Sequence, residues 1–283
     1  MTSVCTKSYW DHAAPSFSVL GPPLKPSPED VQLVEKAVAT WSSSHPGAPL
    51  RALLLGVTSE IANMRWPEAS SLIAVDNSML MARTIWPGNI PSRRRVVCAN
   101  WLALPRPQAS CDVVIGDGSM NCLRYPDGFR ALAQSIRGVL RPEGVLLLRC
   151  FTQQPASREL PEQIFSDLLQ GSIPTVNHFK FRLLMAMQSS TEQGIAVEDV
   201  YRKWVDANIE EESLLARTGW EKRALQSLEL YRDQGVVHTF PTLTELRAVL
   251  GDFFDELSVS TPAYLLGERC PSFVFMTRAG EMH

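Results

Sequence analysis

The chain has 283 residues, of which 45% are hydrophobic and 20% are charged, and its formal net charge is −3. This length allows one large domain or two small ones, and the composition is that of an ordinary globular protein. Like charges cluster only in the short runs 93–95 and 210–212, which we interpret as solvated faces. The charge pattern therefore argues against a general nucleic-acid-binding surface.

The six cysteines are scattered, and none lies in a CxxC motif or at metal-ligand spacing from a histidine. We therefore expect free thiols, no metal site and a reducing, cytoplasmic location. The N-terminal stretch lacks the continuous apolar region of a signal peptide. No apolar run approaches the roughly 20 residues of a membrane span, so we expect no membrane association.

The first predicted element is a helix that begins after Ser27, a good N-cap residue followed by Pro28. Apolar residues then recur at helical spacing as far as Trp41. Short apolar runs follow, alternating with turns and helical patterns. Strands are predicted at 51–57, 70–76, 94–101, 111–118 and 145–151, and helices at 77–86 and 126–140.

The rhythm changes after Phe151, where residues 152–238 are mostly helical and carry no clear strand signal. A helix at 242–254 and strands at 256–264 and 271–278 then close the chain. Nearly continuous apolar strands that alternate with helices predict parallel strands covered on both faces. The predicted fold is α/β, an open, mostly parallel, seven-stranded doubly wound sheet with a helical insertion after the fifth strand.

We expect a single domain over residues 1–283, because no flexible linker flanks the insertion. Within it, residues 1–50 form an N-terminal helical segment and residues 51–151 the binding core. Residues 152–238 are the insertion, or lid, and residues 239–283 supply the closing helix and strands.

Polar or small residues end four predicted strands: Gly56, Asp76, Asn100 with Trp101, and Asp117. In open α/β sheets, ligands bind at the carboxyl ends of the strands. The separation of Gly56 and Asp76 is close to the roughly 20 residues between a glycine turn and a ribose-binding acid in nucleotide folds. An aspartate can accept hydrogen bonds from both ribose hydroxyls, and a glycine lets the backbone approach a ligand.

Five segments in this order resemble the motifs of class I S-adenosylmethionine-dependent methyltransferases, which have a Rossmann-like fold. They are LLLGVTSE, LIAVDNSMLMA, VVCANWLALP, CDVVIGDGSMNCL and LRPEGVLLL, within residues 51–151. The opening SYWDHAAPSFS is similar to the aromatic segment that folds over the cofactor in some members.

The resemblance implies a role for each strand end. Asp76 would bind the ribose, Met79 would pack on the adenine, and Asn100 and Trp101 would bracket its edge. Asp117, Gly118 and Ser119 would lie beside the methionine moiety, and Gly56 would lie under the cofactor. The full implied set of cofactor-binding residues is Trp10, Gly56, Val57, Thr58, Glu60, Asp76, Asn77, Met79, Asn100, Trp101, Asp117, Gly118 and Ser119.

Each of these roles has a plainer alternative. Asp76 could be an ordinary turn aspartate after a strand, and Trp101 could be packed in the core. Asp117 could cap the following turn, which is compatible with contact to a ligand. Trp10 lies close to a terminus, where segments are often poorly ordered.

The first motif departs from the family pattern, because Leu54 replaces its acid and Thr58 and Glu60 replace its later glycines. A glutamate at a helix start would repel a pyrophosphate, but it is compatible with the sulfonium and ammonium groups of S-adenosylmethionine. The departure therefore counts more strongly against NAD and FAD than against S-adenosylmethionine. We hypothesise that Glu60 meets the cofactor's ammonium group; the alternative is that it only stabilises a helix N-terminus.

The sequence does not identify a catalytic residue. Candidate bases in the insertion are His178, Lys180, Arg182, Tyr201, Tyr231 and His238. The NPPY-type motif of base and amide methylation is absent, which weakens a nucleic-acid substrate. The resemblance thus implies methyl transfer to a small-molecule acceptor by a monomer or homodimer. A non-catalytic relative that binds S-adenosylmethionine or acts as a scaffold is the alternative, and a nucleotide-dependent oxidoreductase is a third.

Overall fold

The computed structural model describes residues 9–278. Its strands are β1 Leu50–Leu55, β2 Ser70–Asp76, β3 Arg94–Cys98, β4 Cys111–Asp117, β5 Leu140–Arg149, β6 Ile195–Ala196, β7 Val237–His238, β8 Phe254–Ser260 and β9 Ser272–Thr277. Its α-helices are α1 Tyr9–Ala13, α2 Pro28–Ser44, α3 Ser59–Ala62, α4 Met79–Thr84, α5 Asp127–Val139, α6 Pro161–Leu169, α7 Val176–Met187, α8 Val197–Asp206, α9 Glu211–Thr218, α10 Lys222–Gln226 and α11 Leu243–Leu250.

The main sheet has seven strands in the order β3-β2-β1-β4-β5-β9-β8. β1 to β5 are parallel, whereas β9 runs antiparallel to both β5 and β8. This arrangement confirms the predicted open, mostly parallel, doubly wound sheet. From β1 the chain adds β2 and β3 on one side, and it then adds β4 and β5 on the other side. The carboxyl ends of β1 and β4 therefore form the crevice in which such sheets bind ligands.

The central strands are buried on both faces, which is why they appear in the sequence as continuous apolar runs. In β1, Leu53 and Leu55 pack in one cluster with α5 and α11, and Ala52 and Leu54 pack in another with α2. Side chains alternate between the faces of a strand. Both alternating sets must therefore be apolar when helices cover both faces.

Helix α2 begins as predicted at Ser27, whose hydroxyl accepts a hydrogen bond from the Asp30 amide at 3.1 Å. The Asp30 carboxylate accepts one from the Ser27 amide at 2.7 Å, which completes a capping box. Asp30 is also buried and faces β5, so this cap joins the N-terminal helix to the sheet.

Residues 152–238 are mostly helical, as predicted, and pack around their own cluster of buried side chains, including Phe179 and Phe181. Two strands that the sequence did not signal, β6 and β7, pair there as a two-stranded antiparallel sheet. Each has only two residues, which is too short for a period-two pattern to appear in the sequence. Gly219 adopts a left-handed conformation (φ 69°) and ends α9, so the helical region divides there into shorter pieces.

Three structural absences apply to residues 9–278. No helix there combines the length and apolarity needed to cross a membrane. No three His, Cys, Asp or Glu side chains come together as a metal-binding group. The cysteines of this range are free, and Cys5 lies outside it.

Candidate functional site

A cavity of about 140 Å³ lies at the carboxyl ends of β1 and β4, beneath the N-terminal segment and against the insertion. The sheet contributes Thr58, Asp117 and Gly118 to its wall, and α1 contributes Trp10. Aromatic side chains form much of the rest. They are Tyr9, Phe17, Phe151, Tyr231 and Phe240.

Three predicted residues meet next to this cavity at the ends of β1 and β2. Gly56 has a left-handed backbone (φ 92°), and a side chain there would lie 3.7 Å from the Trp101 ring and 3.9 Å from the Asp76 carboxylate. The indole of Trp101 donates a hydrogen bond to the Val75 carbonyl at 2.6 Å. The indole therefore covers the end of β1 in the place where the resemblance puts the cofactor's adenosine.

The Asp76 carboxyl group is buried, and burial raises its pKa to about 6 despite a hydrogen bond from the Ser78 amide at 2.8 Å. Ser78 caps α4 and donates a hydrogen bond to Asp11 at 2.6 Å. The N-terminal segment is thus joined through Ser78 to the predicted ribose-binding acid. The negative charge of Asp11 raises the pKa of Asp76 further.

Glu60 lies in the short helix α3 with its carboxylate 3.6 Å from the ammonium group of Lys25. Lys25 lines the cavity and also lies 4.6 Å from the centre of the Phe17 ring. A protein cation therefore already accompanies Glu60. Our hypothesis assigns the same role, that of the positive charge beside Glu60, to the cofactor's ammonium group.

Asp117 ends β4 and pairs with the buried Arg149 at 2.5 Å. Arg149 also donates to Asp30 at 3.5 Å and to the Pro23 carbonyl at 3.0 Å. Burial raises the pKa of Asp117, and the guanidinium opposes this rise. The carboxylate at the floor of the cavity is consequently held in a fixed position.

The backbone turns sharply after Asp117. Gly118 is left-handed (φ 61°), and a side chain there would approach the Phe151 ring to 3.0 Å. Both the conformation and the space therefore require glycine at this wall of the cavity.

Of the predicted cofactor-binding residues, Trp10, Thr58, Asp117 and Gly118 line the cavity, whereas Gly56, Glu60, Asp76, Trp101 and the remaining five do not. Asn77, Met79 and Asn100 are exposed at the edge of the sheet, and Asn100 caps the turn at Trp101 by accepting from the Leu102 amide at 2.9 Å. Val57 is buried in the core. Ser119 is also buried, with its hydroxyl against Gly116 and without a hydrogen-bond partner among the described residues.

The insertion brings Lys180, Tyr231 and His238 from the set of candidate bases to the cavity wall. The remaining three lie elsewhere. His178 contacts Thr175 at 2.8 Å, Arg182 pairs with Glu159 and Asp167, and Tyr201 donates to Glu229.

The imidazole of His238 has a defined orientation. Nδ1 lies 3.2 Å from the Asn121 carbonyl, and because a carbonyl only accepts, Nδ1 carries the proton. Burial lowers the pKa of His238. Near neutral pH its Nε2 is therefore unprotonated and able to accept a proton.

Sequence reasoning missed three residues that organise the site: Lys25, Asn121 and Arg149. A charged residue at the end of the apolar run VLLLRC was a signal for Arg149. Asn121 lies inside a quoted motif, but its contacts with Phe151 and Thr239 join segments far apart in the chain. Such contacts cannot be predicted from local pattern.

Solved structures share this architecture at low identity. A Rhodobacter sphaeroides protein provisionally assigned as a Zn-dependent alcohol dehydrogenase is 12% identical, with 95% of this chain and 98% of that chain covered and a TM-score of 0.57. The CurJ carbon methyltransferase is 13% identical, covers 95% of this chain over 59% of its own length, and has a TM-score of 0.51. A chain from the complex of the Haloferax volcanii Trm112 methyltransferase activator with its provisionally assigned methyltransferase is 10% identical, with coverage of 96% and 99% and a TM-score of 0.50.

No protein-family model and no curated protein matches the sequence. At these identities the similarity concerns the fold alone. Together with the strand order, it shows that the chain has the Rossmann-like fold of class I methyltransferases.

Proposed function

We propose that the protein is an S-adenosylmethionine-dependent methyltransferase that acts on a small-molecule acceptor. The observation that carries this proposal is the position of the cavity. It lies between the ends of β1 and β4 on one side and Lys180, Tyr231 and His238 of the insertion on the other. A cofactor bound at the strand ends would thus face an acceptor bound against the insertion.

The charges at the strand ends suit a cation without phosphate. Glu60, Asp76 and Asp117 present three carboxyl groups around the first turn. Lys25 and Arg149 pair with two of them, and Asp76, which has no paired cation among the described residues, adds a negative charge that would repel a pyrophosphate. Asp76 would hold the ribose, Glu60 the ammonium group, and Asp117 with Gly118 the methionine chain. S-adenosylmethionine, when bound, supplies an activated methyl group on a sulfonium.

Strand order also separates this proposal from the oxidoreductase alternative. The dinucleotide-binding arrangement is 3-2-1-4-5-6. Here the antiparallel β9 lies between β5 and β8. The order supports a methyltransferase over a dinucleotide-dependent enzyme.

The aromatic wall and the insertion would exclude water from an acceptor, and the position of His238 suits a general base. Its Nε2 is free because Nδ1 donates to the Asn121 carbonyl. A base at this position would remove a proton from an acceptor hydroxyl or ammonium group. Methyl transfer otherwise depends on positioning and desolvation.

Three observations favour the non-catalytic alternative. The Trp101 indole covers Gly56, and the Asp76 carboxyl is enclosed beneath the N-terminal segment. A cavity of about 140 Å³ is also too small for cofactor and acceptor together, since about 150 Å³ holds one benzene molecule. A cofactor bound over Gly56 would therefore displace the Trp101 indole.

Thermal shift with S-adenosylmethionine, S-adenosylhomocysteine and NAD in parallel tests the cofactor. We expect the first two to raise the melting temperature and NAD to leave it unchanged. Stabilisation by none of them would favour the scaffold alternative, and stabilisation by NAD alone would favour the oxidoreductase.

Formation of S-adenosylhomocysteine with a panel of small acceptors tests the enzyme. Replacing His238 by Asn should lower kcat by about 100-fold or more, the usual contribution of a general base. His178→Gln is the matched control, because His178 lies in the insertion but outside the cavity. Equal kcat for both variants would remove His238 from the mechanism.

A further inference from the structure

Lys180 is a buried cation at the cavity wall. Its side chain is 1% exposed, and its ammonium group donates to the Ser227 carbonyl at 2.8 Å and to the Ser227 hydroxyl at 2.6 Å. It also lies 5.1 Å from the centre of the Tyr231 ring. These partners are neutral, and none of the ion pairs among residues 9–278 includes Lys180.

The nearby acidic groups are already committed to other cations. Glu60 accompanies Lys25, and Asp117 pairs with Arg149. A buried ammonium group without a counter-ion is costly, and burial lowers the pKa of Lys180 to about 7. An anionic group that enters the cavity would supply the missing charge and accept the ammonium group's third hydrogen.

The remaining walls favour a planar, apolar body on this anion. The aromatic rings of Tyr9, Phe151, Tyr231 and Phe240 line the cavity, and they come from four different parts of the chain. Its volume of about 140 Å³ is close to the roughly 150 Å³ of an apolar cavity that binds benzene. The size therefore suits one six-membered ring.

We infer that this cavity binds a single-ring aromatic anion, a carboxylate or a phenolate, whose acidic oxygen pairs with the Lys180 ammonium group. The assignment of this ligand as the methyl acceptor rests on the proposed function. The binding of the anion does not, because Lys180 and Tyr231 belong to the insertion and need no cofactor, although the ends of β1 and β4 form another wall of the same cavity.

Calorimetry on the full chain without cofactor tests the inference, so the result is independent of methyl transfer. The probes are benzoate and 4-nitrophenolate as anions, benzamide as the neutral isostere of benzoate, and butyrate as an aliphatic anion. We expect benzoate to bind about tenfold or more tightly than benzamide, the usual benefit of a hydrogen bond to a charged group. 4-Nitrophenolate should bind if the site accepts phenolates, and its failure to bind would restrict the site to carboxylates.

Lys180→Met should reduce the affinity for benzoate to that for benzamide. The substitution replaces an uncompensated buried charge with an unbranched apolar side chain that is one atom shorter, so it should not impair folding. Lys222→Met is the control, because Lys222 is exposed and pairs with Glu211, and it should bind benzoate like the wild type.

Three results would overturn the inference. One is a wild-type affinity for benzoate no higher than for benzamide, including no binding of either. Another is a preference for benzoate that survives in Lys180→Met. The third is butyrate binding as tightly as benzoate, which would refute the claim that the site requires an aromatic ring. Methyl transfer to other acceptors with no benzoate binding would contradict only this inference, whereas benzoate binding with no cofactor binding would contradict only the proposed function.

Discussion

The Asp76 carboxyl group illustrates how single residues of the site balance burial against charge. Its only hydrogen bond among the described residues comes from the Ser78 amide, and its second oxygen faces Gly56. With a pKa of about 6, the folded protein binds a proton there that the unfolded chain releases near pH 4. The stability contribution of this group is therefore lost as the pH rises from about 4 to 6.

Replacing Asp76 by Asn should consequently stabilise the protein above pH 6, by about 1 to 3 kcal/mol. The same change should weaken S-adenosylmethionine binding by about tenfold or more, since the ribose would lose its carboxylate. Urea unfolding at pH 8 and calorimetry measure the two effects, with Asp206→Asn on the surface as control. A stabilised variant with unchanged affinity would assign Asp76 to the turn alone.

The Glu60 carboxylate has two proposed partners, the Lys25 ammonium group and the ammonium group of a bound cofactor. If its carboxylate meets the cofactor's ammonium group, Glu60→Gln should lower the affinity for S-adenosylmethionine by about fivefold or more. The exposed Glu68→Gln provides the control for calorimetry. Unchanged affinity in Glu60→Gln would refute the hypothesis and leave Glu60 as the partner of Lys25.

At the scale of elements, Asn121 joins the sheet to the insertion. Its amide donates to the carbonyls of Phe151 at 2.8 Å and Thr239 at 2.7 Å, and its oxygen accepts from the Phe151 amide at 2.9 Å. Its own carbonyl accepts from the Thr239 amide at 3.0 Å and orients His238. The turn after β4, the end of β5 and the strand β7 are thus fixed by one buried side chain and its backbone.

Asn121→Ala should leave buried backbone groups unpaired and lower the free energy of unfolding by about 2 to 5 kcal/mol. Gln32→Ala, on the exposed face of α2, should change it by less than about 0.5 kcal/mol. Denaturant unfolding measures both. Hydrogen exchange should show the larger loss of protection around residues 237–240, and equal protection in both variants would contradict the joining role.

For the whole molecule, the buried charge of Lys180 makes stability depend on pH. Its pKa is about 7 in the folded protein and near 10.5 when exposed. Between these values the unfolded chain holds a proton that the folded protein lacks, so this contribution to stability rises with pH. At pH 6 both states are protonated, and the cost of burying the charge is fully present.

Lys180→Met should therefore stabilise the protein most at pH 6. The advantage over the wild type should shrink by about 1.4 kcal/mol per pH unit between pH 7 and pH 9. Urea unfolding at pH 6, 7.5 and 9 measures the trend, with Lys222→Met as the control that follows the wild type. A stability difference that does not vary with pH would contradict the role of the buried charge.

Much of the candidate site was predictable because parallel strands end at one edge of a sheet. That rule alone places Gly56, Asp76, Trp101 and Asp117 at the same edge. All the assignments to cofactor contact stay predictions; among them, the side chains of Met79 and Asn100 are exposed at the rim. Lys180 was one candidate base among six, and its lack of a counter-ion could not be deduced from its neighbours in sequence.

The sequence by itself determined the sheet and the strand-end residues, because buried parallel strands need apolar runs and turns need glycine or aspartate locally. Only the tertiary structure decided what encloses the cavity. The Trp101 indole over Gly56, the Arg149 contacts and the presence of Lys180 and His238 on the wall of one cavity all bring together segments distant in the chain. The physical reason is that burial and charge compensation depend on which segments pack together, and this packing is a property of the whole fold.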